Sequence, residues 1–127
     1  MKTVTMILVL LLAGLAHADS LSVTNTAFGT GIEDHTITGV DTTFSRSVGR
    51  LYFWALIADA GAGDTVYHCW IIRNWVAQRI AIPVQGKRFR THSVKTLDEQ
   101  MTGRWIVKVE DRHGRVLSAD SVTVRPD

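Results

Sequence analysis

This sequence is short of several things that would point to a chemistry. It has one cysteine, little net charge, a single long apolar run, no recognisable helix and no phosphate-binding loop. With Cys69 alone, an internal disulfide is excluded. A lone thiol in an oxidising compartment is either buried or paired with another molecule. Cys69 lies in the apolar stretch Val66-Tyr67-His68-Cys69-Trp70-Ile71-Ile72, so a buried, inert thiol is expected. Fourteen Lys and Arg against twelve Asp and Glu give a net charge of +2, too little basic excess to expect nucleic acid as a partner. No capping box leads into an i, i+3, i+4 apolar series, so no helix is expected. Gly61-Ala62-Gly63 lacks the lysine and the following helix of a phosphate loop. Without a second cysteine or a His-x-His pair, neither a metal nor another cofactor is expected.

What the sequence does have begins at its start. Met1-Lys2 is a short positive segment, Val4 to Leu15 is almost unbroken apolar sequence, and Ala16-His17-Ala18 offers small residues where a signal peptidase reads. This is the three-part layout of a cleavable export signal, residues 1–18. The apolar run is shorter than the roughly 20 residues of a spanning helix, and no later stretch is long enough to cross a membrane. No cysteine follows the run to carry a lipid. The expected address is the periplasm or the exterior, after cleavage behind Ala18. Removing 18 of 127 residues leaves 109, which suits a single domain over residues 19–127. Loss of Lys2 lowers the charge from +2 to about +1.

Residues 19–49 are polar and rich in Thr, Ser and Gly, and predict one or two short strands. From Arg50 the pattern sharpens. Leu51, Phe53, Ala55 and Ile57 alternate with Tyr52, Trp54 and Leu56, as in a buried strand. Ala58 to Asp64 breaks it, and Thr65 to Ile72 is the next strand. Arg73-Asn74 reads as a tight turn, since Asn visits the left-handed region more readily than most residues. Trp75 to Val84 follows, with Pro83 fitting an edge or a strand end. Gln85-Gly86 turns the chain into a strand over Lys87 to Val94, and Lys95 to Gly103 reads as a loop. In Arg104 to Glu110, Trp105, Val107 and Val109 face one way. Asp111-Arg112-His113-Gly114 reads as a hairpin turn before a last strand, Arg115 to Val124. About seven antiparallel strands with turns every eight to twelve residues predict an all-β, immunoglobulin-like β-sandwich.

The ordered set Leu51-Tyr52-Phe53-Trp54, Val66-Tyr67-His68-Cys69-Trp70, Arg88-Phe89-Arg90 and Gly103-Arg104-Trp105-Ile106-Val107-Lys108-Val109 resembles a bacterial family, domain-of-unknown-function family 2914. The resemblance covers about residues 28–124. It implies an exported or membrane-associated β domain with no established activity. The chain departs from it at Arg73-Asn74, where members often carry Asn-Gly, and near Thr91-His92-Ser93, where members often have Trp-Ser-Ser.

Few residues are candidates for chemistry. His68 and Trp70 share one face of a strand, and Arg88, Arg90 and His92 share a face of another. If the two strands were neighbours in one sheet, these five would form a patch for an acidic glycan or other anionic ligand: Arg forks grip carboxylate or phosphate, and Trp stacks on sugars. The plainer alternative is a solvated row of basic residues and a core Trp70. Trp75 follows directly on the tight turn and is a candidate for contact with a protein partner, although a packed role is commoner for Trp. His68 and Cys69 are adjacent on a strand and point to opposite faces, so they make neither a metal site nor a catalytic pair. No paired carboxylates, nucleophile elbow or helix-activated thiol is present, and no enzyme is expected. The reading is an exported, non-catalytic interaction module for an envelope protein partner. The alternatives are a glycan or anion binder on the Arg/His/Trp face and, least favoured, a small periplasmic hydrolase.

Overall fold

A computed structural model describes residues 21–127; the export signal expected over residues 1–18 lies outside the described residues. Ten strands form: β1 Ser22–Gly29, β2 Gly31–Glu33, β3 Thr36–Thr38, β4 Thr43–Ser45, β5 Arg50–Ala58, β6 Thr65–Ile72, β7 Trp75–Pro83, β8 Arg88–Thr96, β9 Gly103–Glu110 and β10 Val116–Arg125. Seven of them have eight or more residues, matching the expected count. The other three have three residues each, and all fall in the polar stretch before Arg50. That stretch carries four strands in all, where the sequence predicted one or two. Each is stabilised mainly by its pairing rather than by an apolar repeat of its own.

One sheet has the order β1-β5-β8 and the other β4-β10-β9-β6-β7. All pairs are antiparallel except β4 with β10. The chain therefore begins in one sheet with β1 and crosses to the other with β4. These two sheets, packed face to face, make an immunoglobulin-like sandwich.

The core follows from strand alternation. Leu51, Phe53, Ala55 and Ile57 of β5 meet Val66, Trp70 and Ile72 of β6 and Trp105, Val107 and Val109 of β9. Trp70 packs edge-on against Phe53 at 6.5 Å and Trp105 at 6.0 Å, centroid to centroid. Antibody domains tie the corresponding strands with a disulfide beside a buried Trp. Here the rings fill that region, and the one cysteine lies elsewhere.

Between β1 and β4 the chain throws out a small hairpin. Glu33 pairs with Thr36, so Asp34-His35 is a two-residue turn with φ of 49° and 62°, the left-handed pair that such hairpins require. Gly29 lets this hairpin fold close, because a Cβ there would collide with the Thr38 carbonyl oxygen and Ile37. The hairpin is fastened over β5 by the Trp54 indole N–H, which donates to the His35 carbonyl at 2.8 Å.

Candidate functional site

The five residues proposed from sequence as one ligand patch do not meet. β6 and β8 belong to different sheets. Their inward faces look at each other across the core, and their outward faces point apart. His68 and Trp70 are both 0% exposed and lie inside, whereas Arg88, Arg90 and His92 stand in solvent on the outer face of β8. Alternation was read correctly on each strand; the adjacency of the two strands was not.

The inward residues form a polar network that ties the sheets together. Thr91 donates its hydroxyl to the Ala55 carbonyl at 3.0 Å, so its oxygen accepts from His68 Nε2, also 3.0 Å away. His68 is thereby the tautomer protonated on Nε2, and its Nδ1 accepts from Ser93 Oγ at 2.7 Å. Ser93 Oγ in turn accepts the Trp70 indole N–H at 3.0 Å. A neutral imidazole thus satisfies every donor and acceptor. Burial, with a smaller contribution from the charge of His92, lowers the His68 pKa from 6.5 to about 3. The Ser93–His68 pair has the contacts of a nucleophile and its base but is closed off from solvent, with His68 0% and Ser93 only 5% exposed.

Cys69 is buried, as expected, but on the opposite side of β6 from the core. It pairs in register with Arg79 of β7 and Lys108 of β9. Arg79 stacks 3.8 Å above the Tyr67 ring and lies 3.6 Å from Glu110. Desolvation, then the neighbouring Glu110, push the thiol pKa up, against a smaller lowering by Arg79. Among the described residues no group of three or more His, Cys, Asp or Glu is arranged to hold a metal ion.

Two open clefts stand out among the described residues. The larger, about 520 Å³, lies where loops gather at one end of the sandwich and is lined by residues of both signs, including Asp64, Asp111, Lys87, Arg112 and His113. Asp111 is occupied in holding its turn: its Oδ1 accepts from the backbone N–H of His113 and Arg115, both at 2.9 Å. Desolvation raises its pKa, but those N–H groups and the neighbouring cations outweigh that and hold it below the ordinary value. The smaller cleft, about 360 Å³, lies between the β2–β3 turn and β8, and is lined by His35, Leu56, Arg88, Phe89 and Arg90. Register places Trp54 opposite His92 and Leu56 opposite Arg90 on the same outer face. An Arg/His/Trp face therefore does exist, completed by Trp54 and His35 in place of Trp70 and His68. The sequence showed the parity of Trp54 and Leu56, but not that β5 is the neighbour of β8.

Trp75 is 65% exposed and Val76 53%. Both stand at the tip of the β6–β7 hairpin, where Arg73 and Asn74 turn with φ of 52° and 61°. The strained Arg73 is held by its own side chain, which donates to the carbonyls of Gln100 at 3.4 Å and Thr102 at 3.1 Å. Among the described residues β7 is paired only with β6, so its other edge is open. A bulge at Ala77 and the terminal Pro83 interrupt that edge.

Residues 63–124 match the model of a family described as a protein of unknown function, DUF2914. The segment holds β6 to β9 and most of β10. It contains Trp75, Arg88 and Arg90 but not His35 or Trp54. No curated protein matches the chain.

Proposed function

We propose that this domain is an exported, non-catalytic interaction module that docks a protein partner on the Trp75 tip. The observation that carries this reading is a large apolar ring 65% exposed on a turn fixed by two side-chain hydrogen bonds. Trp is enriched among the residues that dominate interface energies, where truncation costs about 2–4 kcal/mol. A turn already held in place loses little backbone freedom on binding. The open edge beside Trp75 and Val76 adds unpaired main-chain groups, which suit an extended protein segment laid along the start of β7. The bulge at Ala77 confines such pairing to that short stretch. The seclusion of His68 and Ser93 supports the non-catalytic part of the reading.

Placing a photo-crosslinking residue at position 75, and separately at the exposed Arg112, tests it. A discrete adduct formed from position 75 alone, and competed away by Trp75-containing protein but not by the Trp75→Ala variant, supports the docking tip. The same adducts from both positions, or equal competition by the variant, would refute it.

A further inference from the structure

The cleft between the β2–β3 turn and β8 is independent of the Trp75 tip. We propose that it binds an oxyanion, the carboxylate or phosphate group of a small organic ligand. Arg88 and Arg90 are two residues apart on β8 and both stand on its outer face, so two guanidinium forks reach one anion from the same side. His35 forms the facing wall, and Leu56 supplies apolar surface. No acidic side chain lines the cleft. That segregation stands out in a chain whose charges nearly balance.

The hydrogen-bonding groups of the cleft are also uncommitted. Among the described residues neither the Arg88 guanidinium nor the His35 ring has a hydrogen-bond or ion-pair partner. Arg90 spends one N–H on the Asp34 carbonyl, at 3.4 Å, and keeps the rest of its fork. That bond and the one from Trp54 to the His35 carbonyl set the width of the cleft. A volume of about 360 Å³ equals roughly a dozen water molecules at about 30 Å³ each, room for a ligand of monosaccharide size. The guanidiniums grip the anion by charge-assisted bonds, and the apolar surface takes the less polar side of the ligand.

The test is a titration of ¹⁵N-labelled protein at constant ionic strength, which holds general screening fixed. The probes are inorganic phosphate, glucose 6-phosphate, glucuronate and uncharged glucose. Saturable shifts at Arg88, Arg90 and His35 with at least one anion, and none with glucose, are expected; the anion that saturates at the lowest concentration identifies phosphate or carboxylate as the preferred group. Arg88→Gln and Arg90→Gln should each weaken binding about tenfold or more, the usual effect of losing a charged hydrogen-bond donor. Arg112→Gln, at the other cleft, should leave affinity unchanged. Arg88 makes no structural bond, so Arg88→Gln reads binding even if Arg90→Gln loosens the hairpin. Equal binding of glucose, anion shifts as large at Arg112 as at Arg88, or full affinity in Arg88→Gln would overturn the proposal.

Discussion

His68 Nδ1 lies 2.7 Å from Ser93 Oγ, joining β6, an inner strand of the five-stranded sheet, to β8, an edge strand of the three-stranded one. This contact fits only an uncharged ring. A proton on Nδ1 would turn the acceptor into a donor and leave the Ser93 hydroxyl, which already accepts from Trp70, without an acceptor. The native pKa of about 3 against an ordinary 6.5 expresses the same fact. Between those values the unfolded chain binds a proton that the native state refuses. The stabilisation is therefore complete above pH 6.5, declines as pH falls, and is gone below pH 3. By pH 4 the loss amounts to about 3 kcal/mol, at about 1.4 kcal/mol per pKa unit. Urea unfolding at pH 7 and pH 4 measures it. In His68→Gln, whose amide can both donate and accept without titrating, at least half of the slope between pH 6.5 and 4 should vanish. An unchanged slope would refute the assignment.

Ser93→Ala tests the same network without a charge. It leaves the Trp70 indole N–H and His68 Nδ1 unpartnered in the interior. Each buried orphan costs about 1–3 kcal/mol, so a loss of about 2–4 kcal/mol in denaturant unfolding is expected. A loss below 1 kcal/mol would mean that water or a rotated side chain replaces the hydroxyl.

Two tryptophans of similar sequence context should behave in opposite ways. Trp105 is fully buried, packs on Trp70, and donates its indole N–H to the Met101 carbonyl at 2.9 Å. Trp105→Ala should cost about 3–5 kcal/mol. Trp75→Ala should change stability by less than about 0.5 kcal/mol, as surface replacements do. Similar unfolding midpoints for the two variants would contradict the placement of both rings.

The contrast also marks how far the sequence could be read. Trp105 alternates with Val107 and Val109, and that period alone places it inside. The bounds of β6 and the Arg73-Asn74 turn were legible for the same reason: local pattern and turn chemistry determine them. Strand adjacency is a long-range property, and no local period encodes it. His68 and Trp70 were thus set on the correct face of β6, but beside the wrong neighbour. Trp54 stands on the outward side of β5, and its partner His92, 38 positions away on β8, could not be read from local pattern. The early strands were under-counted for a related cause. β1 is half solvated and Thr-rich, and β4 exists through its parallel pairing with β10.

Cys69 gives a prediction about reactivity. It is 3% exposed, and its thiol is roofed by Arg79 and Glu110 rather than by core side chains. Alkylation requires a thiolate and an approach path, and the native state restricts both. Desolvation and Glu110 hold the thiol protonated, and the Arg79–Glu110 pair covers it. At neutral pH, modification by iodoacetamide should be about 100-fold slower in the native protein than in denaturant. Glu110→Gln acts in one direction on both restraints: it removes the negative charge that disfavours the thiolate, and it frees Arg79 from its ion pair. Alkylation of the folded variant should be faster than that of the original protein, with the unfolding midpoint little changed because the pair is partly exposed. Equal rates in native protein and denaturant would show an open thiol. An unaltered native rate in Glu110→Gln would show that the strands themselves, and not the charged roof, protect the sulfur.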